Sequence, residues 1–255
     1  MPLDNLNREA RTAVAEYVAQ PLVAFAPGAR GEPVNVSSGT LLRTPGGNIV
    51  VLTAKHCVDD AIRGPVRLCW YRRTDSILGA AAAVAKHPDD SVDIAMFALW
   101  PDGATVMRAL ALTENDLGTD DDVDPKNDAL IVAGVPAALL VRDGNFRGLW
   151  SVNYGTNVAD PPRDAGGRLR VLWTEMETPS GNIGMPKPHG ISGGALWRFR
   201  GRDAKGVWSA AATGRIIGVP VAWLERDRVA FVEPASKWRD WVRETMTEMD
   251  LVLKR

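Results

Sequence analysis

The sequence predicts an all-β chain: two β-rich halves clasped by an N-terminal and a C-terminal helix. Three observations lead there. From residue 21 onward, short apolar runs alternate with Gly, Pro, Asn and Asp clusters, as in a chain of many short strands. A polar, acidic stretch over 113–127 divides those runs into two series. Helical apolar spacing stands out at the two ends.

Residues 1–20 form the first element. Leu6, Ala10, Ala13, Val14, Tyr17 and Val18 recur at helical spacing, Asp4 is placed to cap the helix and Pro21 ends it. The apolar stripe predicts a docking helix. The first half, 21–112, has strand-like runs at 22–25, 39–42, 49–53, 66–71, 80–85 and 94–99. The alanine-rich 80–85 run reads as a strand or as a helical turn. In the linker, Asp120, Asp122 and Asp124 read as a solvated acidic loop or as a calcium site; the central Gly and terminal Glu of an EF-hand loop are missing. The second half, 128–255, has runs at 129–134, 149–154, 169–175, 195–198, 216–221 and 228–232. It closes in a helix from Pro234 to Asp250, whose stripe of Trp238, Trp241, Val242, Met246 and Met249 predicts a packing face.

Composition narrows the function classes. The chain has 255 residues, 45% of them hydrophobic and 24% charged, an ordinary globular balance with material for a sizeable core. Lys+Arg 30 against Asp+Glu 31 leaves a net charge of −1, so the global basic footprint of a nucleic-acid binder is absent. No run approaches the ~20 apolar residues of a membrane span. The N-terminal residues lack the basic and apolar regions of a secretory signal, which predicts a cytoplasmic chain. Two cysteines make no disulfide framework. The nine tryptophans suggest core packing more than an aromatic ligand platform.

Three segments concentrate chemistry. Thr53-Ala54-Lys55-His56-Cys57 presents a histidine where a strand runs into a turn. Asp93-Ile94-Ala95 sets a carboxylate just before an apolar strand, whereas Asp89 and Asp90, its competitors, lie in a turn-like cluster. Gly190-Ile191-Ser192-Gly193-Gly194 sets a serine in a glycine-flanked loop leading into a strand. A serine hydroxyl is a weak nucleophile until a base removes its proton. A histidine does this near neutral pH, and a carboxylate fixes its tautomer and stabilises the imidazolium. The oxyanion needs backbone N–H donors, for which Gly190 and Ser192 are placed. His189 is too close in sequence to Ser192 to reach it across a cleft as the base, so a pocket-wall role suits it better. His87, before Pro88, reads as a loop residue.

These segments, in the order His, Asp, Ser, resemble the three motifs of chymotrypsin-like (trypsin-fold) serine proteases. The resemblance runs over most of the chain. It implies two six-stranded antiparallel β-barrels with the site between them, Ser192 as nucleophile, His56 as general base and acid, and Asp93 as orienting carboxylate. Such a triad itself requires no metal or organic cofactor.

Departures from the pattern add further expectations. The disulfide partner that secreted relatives use for the Cys after the His aligns at Ser37, which predicts that Cys57 and Cys69 are reduced thiols. Beside Ser192 stands Ile191, not the acid that pairs with a freed N-terminal amine, so that activation switch is not expected. The pattern looks more like the bacterial intracellular or regulatory branches. Aligned without gaps, the substrate pocket has Pro186 at its floor, Lys187 and His189 nearby, and Val221, Ala222 and Trp223 along one wall. Trp223 falls where glycine is common and narrows the pocket, which predicts small substrate side chains or a closed resting site.

The leading reading is a serine endopeptidase that acts on a protein or peptide, with a dedicated protein partner or activator as a further option and no nucleic-acid or membrane partner. The alternative is a latent peptide-binding or sensor module on the same scaffold. An esterase without protease activity is a third.

Overall fold

The computed structural model describes residues 8–27, 36–61, 66–70, 77–79, 81–99, 107–121, 123–124, 127–136, 152–173, 176–178, 181–183, 188–200 and 208–254. Two curled antiparallel sheets dominate it. The first contains β1 (Leu22–Pro27), β2 (Ser37–Arg43), β3 (Ile49–Thr53), β4 (Val66–Trp70), β5 (Ile77–Gly79), β6 (Ala81–Lys86) and β7 (Ala95–Leu99), in the order β5-β4-β1-β2-β3-β7-β6. The two edge strands are consecutive in the chain, separated by residue 80 alone. One stretch therefore pairs with β4 through β5 and with β7 through β6, closing a six-stranded barrel. The described part of the alanine-rich run, 81–85, is thereby a strand.

The second sheet repeats the device. It contains β8 (Asp128–Gly134), β9 (Val152–Thr156), β10 (Val158–Arg163), β11 (Leu169–Leu172), β14 (Ala195–Arg200), β15 (Gly214–Leu224) and β16 (Val229–Pro234), in the order β10-β11-β16-β15-β14-β8-β9. Its edges β9 and β10 are separated only by Asn157, and they pair with β8 and β11 respectively. A small hairpin, β12 (Met176–Thr178) with β13 (Gly181–Ile183), stands apart.

Alternation along β8 builds two cores at once. Ala129, Ile131 and Ala133 join the cluster that includes Leu41, Val51, Phe97 and Trp197, spanning both barrels. Leu130 and Val132 face the interior of the second barrel with Tyr154, Val171, Leu196 and Val232.

The helices exchange barrels. Helix α1 (Arg8–Ala19) leads into the first barrel but docks on the second: the Tyr17 ring meets Trp197 edge-on at 5.4 Å, and its hydroxyl donates to Asp116 Oδ1 at 3.1 Å. Short helices α2 (Lys55–Ala61) and α3 (Ala210–Thr213) follow β3 and precede β15. The C-terminal helix α4 (Ala235–Leu253) leaves the second barrel and clasps the first. Its Asp250, buried, accepts from Thr44 Oγ1 at 2.5 Å, Gly46 N at 2.5 Å and Asn48 Nδ2 at 2.7 Å, all on the β2–β3 turn. The expected stripe holds: Trp238, Val242, Met246 and Met249 are buried, and Trp241 packs at their edge.

The acidic stretch is not simply solvated. Asp120 is buried; its Oδ2 accepts from Arg163 Nη2 at 2.6 Å and its Oδ1 from Ser236 N at 2.7 Å. It thus supplies the first turn of α4 with the acceptor that Pro234, at the N-cap, lacks. Asp122 lies outside the described residues, as does the predicted cap Asp4. Among the described residues no helix is long and apolar enough to cross a membrane.

Candidate active site

The site is built from the backs of strands. Pairing of β3 with β7 sets Thr53 opposite Ala95, which brings the residues just after β3 beside those just before β7. Lys55 N donates to the Asp93 carbonyl at 3.2 Å. The Asp93 carboxylate then takes both polar hydrogens that His56 offers on that side: Oδ1 accepts from the backbone N–H at 3.0 Å and Oδ2 faces Nδ1 at 2.6 Å. An ionised carboxylate only accepts, so Nδ1 carries the proton. In the neutral ring, Nε2 is left as the basic nitrogen.

Electrostatics follow the geometry. The hydrogen bond to Asp93, and after it the contact with Cys57, push the His56 pKa up to about 10 against the opposing effect of burial. For Asp93, burial works to raise the pKa, but the hydrogen bond and charge of His56 outweigh it and hold the carboxyl below its usual range. The His56 side chain is 50% exposed and that of Asp93 24%, so the pair sits at the mouth of a cleft rather than in the core.

Ser192 comes from the other barrel, on two linked turns. Ile191 N donates to Pro188 O at 3.0 Å and Gly194 N to Ile191 O at 2.9 Å. Gly190 (φ 93°) and Gly193 (φ 85°) occupy the third positions, the left-handed place of a type II turn. Gly193 has a second constraint: a Cβ there would stand 2.0 Å from Thr53 Oγ1 and 2.2 Å from Ser38 O. The serine loop is thus pressed against the first barrel and sewn to it. Ser38 N donates to Ser192 O at 3.0 Å, Ser38 Oγ donates to Gly190 O at 2.6 Å, and Val135 N donates to Ser38 Oγ at 2.8 Å. Sequence reasoning did not single out Ser38; beside Ser37 and Gly39 it has no distinguishing type or spacing. The N–H groups of Gly190 and Ser192 make no hydrogen bond among the described residues.

His56 and Ser192 share a cleft of about 450 Å³. Ala222, Trp223 and His189 also line it. Pro186 and Lys187 lie outside the described residues. Val221 does not line it: its buried side chain faces the core, because side chains alternate along β15, and only its carbonyl turns toward Ser192. Trp173 and Ala230, which the sequence did not flag, complete the apolar end. The competing residues are engaged elsewhere: Asp90 pairs with Lys55, Asp89 accepts from Ser91 N, and His87 accepts from Asp89 N while lying against Trp241. Cys57 and Cys69 are both buried, and neither is in a disulfide.

Ser192 Oγ lies 3.5 Å from Val221 O and does not hydrogen-bond to His56 Nε2. The arrangement holds an oriented imidazole, a hydroxyl and two N–H groups without a hydrogen bond among the described residues, all at one cleft.

No family model matches the sequence, and no curated protein matches it. Solved structures do. A serine endoprotease from Yersinia pestis superposes with a TM-score of 0.55 at 14% identity, covering 92% of this chain and 65% of that one. The MamO protease domain from Magnetospirillum magneticum (apo form) gives 0.51 at 16% identity, over 89% and 98%. The Rv3671c protease from M. tuberculosis, in its active form, gives 0.52 at 14%, over 94% and 87%. The chain has the trypsin-like serine protease fold. It spans 65% of the length of the Yersinia protein. On this protease fold, the two barrel edges that close on themselves and the cleft between barrels agree with the architecture expected from the three motifs.

Proposed function

We propose that the chain is a serine endopeptidase working through an acyl-enzyme. The observation that carries this reading is the double grip of Asp93 on His56 within the cleft that contains Ser192. Ser192 Oγ attacks the peptide carbonyl while His56 Nε2 takes its proton. The N–H groups of Gly190 and Ser192 receive the developing oxyanion. His56 then returns the proton to the leaving amine, and a water, activated in the same way, hydrolyses the acyl-enzyme. Asp93 stabilises the imidazolium at each stage and does not itself become protonated.

The substrate is a protein or peptide. Trp173, Trp223 and Ala230 give the pocket an apolar end, which suits a small uncharged side chain before the cleaved bond. Two buried cysteines outside any disulfide fit a reducing, cytoplasmic setting. A second reading, a latent or sensor module, is favoured by one observation: Ser192 Oγ rests against Val221 O instead of His56. Incubating the chain with a mixed peptide library and sequencing the products tests the first reading. New termini that vanish in Ser192→Ala support an endopeptidase. Binding of peptides without new termini supports the sensor.

A further inference from the structure

The mechanism above leaves one contact of the His56 ring unused. Cys57 follows His56 in α2, and its Sγ lies 3.5 Å from Nε2, the nitrogen that must receive the serine proton. The same sulfur lies 3.7 Å from the Ser192 carbonyl oxygen. Cys57 is buried but lines the cleft, and no disulfide removes its proton. Ser192 Oγ meanwhile points to Val221 O. The base is therefore partnered by a thiol and not by the hydroxyl it must deprotonate.

Resting on the protease reading, we propose that Cys57 is a positioning residue whose thiol occupies His56 Nε2 in the resting site and withholds the base from Ser192. One ring nitrogen serves one proton at a time. Whether it accepts from S–H or, as imidazolium, donates to sulfur, it is not available to Oγ. The contact also favours the protonated ring, the form that is no base. A thiol is a weak donor and the contact is long, so a serine hydroxyl turned away from Val221 O displaces it. The restraint is correspondingly modest, about two- to tenfold, the range of one ordinary hydrogen bond.

The test compares the native chain with Cys57→Ala and Cys57→Ser, with a fluorophosphonate as probe. In the labelling step the Ser192 Oγ–P bond forms, fluoride leaves and the hydroxyl proton passes to His56. The expected result is labelling about two- to tenfold faster in Cys57→Ala, with Cys57→Ser, which restores a donor, returning toward the native rate. The ¹⁵N resonance of His56 Nε2 shifts in Cys57→Ala and moves back in Cys57→Ser. A purely structural cysteine would give slower labelling in both variants and no such return. If the native chain labels and Cys57→Ala is no faster, the positioning role is overturned and the protease reading stands. If neither the native chain nor either variant labels, the protease reading falls and takes this role with it. Should Cys57→Ala fail to fold, the native resonance decides: an Nε2 shift equal to that of a water-exposed imidazole nitrogen overturns the proposal.

Discussion

Asp93 holds His56 at two points, its Oδ1 on the backbone N–H and its Oδ2 on Nδ1. The first bond fixes where the residue sits at the start of α2; the second fixes which ring nitrogen is protonated. The two functions separate on mutation. Asp93→Asn keeps an acceptor for the backbone N–H but presents an amide to the ring and favours the wrong tautomer. Fluorophosphonate labelling of Ser192 is expected to slow by about 10³- to 10⁴-fold with little change in thermal midpoint. A rate within tenfold of native contradicts Asp93 as the orienting carboxylate.

The same pair sets a pH dependence of two opposite signs. The His56 pKa is pushed up to about 10 in the folded chain from an ordinary 6.5. The folded state thus holds a proton that the unfolded state has lost between those values. The contribution of His56 to stability is complete below about 6.5, as long as Asp93 stays ionised, and is lost as pH rises through about 10. Ser192 reactivity needs the neutral ring, so the labelling rate climbs across that window and levels off above about 10. A rate already flat from neutral pH upward would show that His56 is not held in its charged form.

Gly193→Ala tests the seam between barrels. The new Cβ meets Thr53 Oγ1 and Ser38 O at distances no side chain adopts, at a positive φ. Left-handed strain and overpacking together cost about 2–5 kcal/mol, read as a lower denaturation midpoint in urea. Ser192 labelling falls with it, because the turn that presents the hydroxyl is displaced. A variant of native stability would mean that the loop is not pressed on the first barrel.

Asp250→Ala separates stability from chemistry. It strips the acceptor from Thr44, Gly46 and Asn48 at the point where the C-terminal helix holds the first barrel. The loss is about 3 kcal/mol, since hydrogen bonds to a buried charge are lost and donors are left unpaired. Well below the new midpoint, labelling of Ser192 is expected to stay within threefold of native. A large loss of reactivity in folded protein would tie this clasp to the site.

Trp223→Ala tests the pocket. Removing the indole beside its cross-strand neighbour Ala230 is expected to move cleavage toward larger apolar side chains, such as Leu and Phe. Product sequencing on the same peptide library reads the change. An unaltered preference would place the specificity wall elsewhere.

Much of this was legible from sequence, for physical reasons. Strand β3 falls where expected because a fully buried strand is a plain apolar run between turn residues. Strand β10, Val158–Arg163, was missed because it contains Pro161 and Pro162, which a strand tolerates only at an edge such as this one. The three-residue strands β5, β12 and β13 are too short to show alternation. Asp120 read as solvated because its partners, Arg163 and Ser236, are 43 and 116 residues away. In the site, three short motifs and the resemblance they carry brought His56, Asp93 and Ser192 forward together. It gave no view of side-chain direction: that Val221 turns inward, that Ser38 stitches the serine loop, or that Cys57 faces its own neighbour.

The most direct measurement of the central claim is intact mass after fluorophosphonate treatment of the native chain, with Ser192→Ala and His56→Ala alongside. A single adduct on the native chain, absent from both variants, is the predicted result: a serine activated by an assembled triad. A folded native chain that takes no adduct, even at the alkaline pH where His56 is neutral, contradicts it and leaves the fold with a site that does not perform acyl transfer.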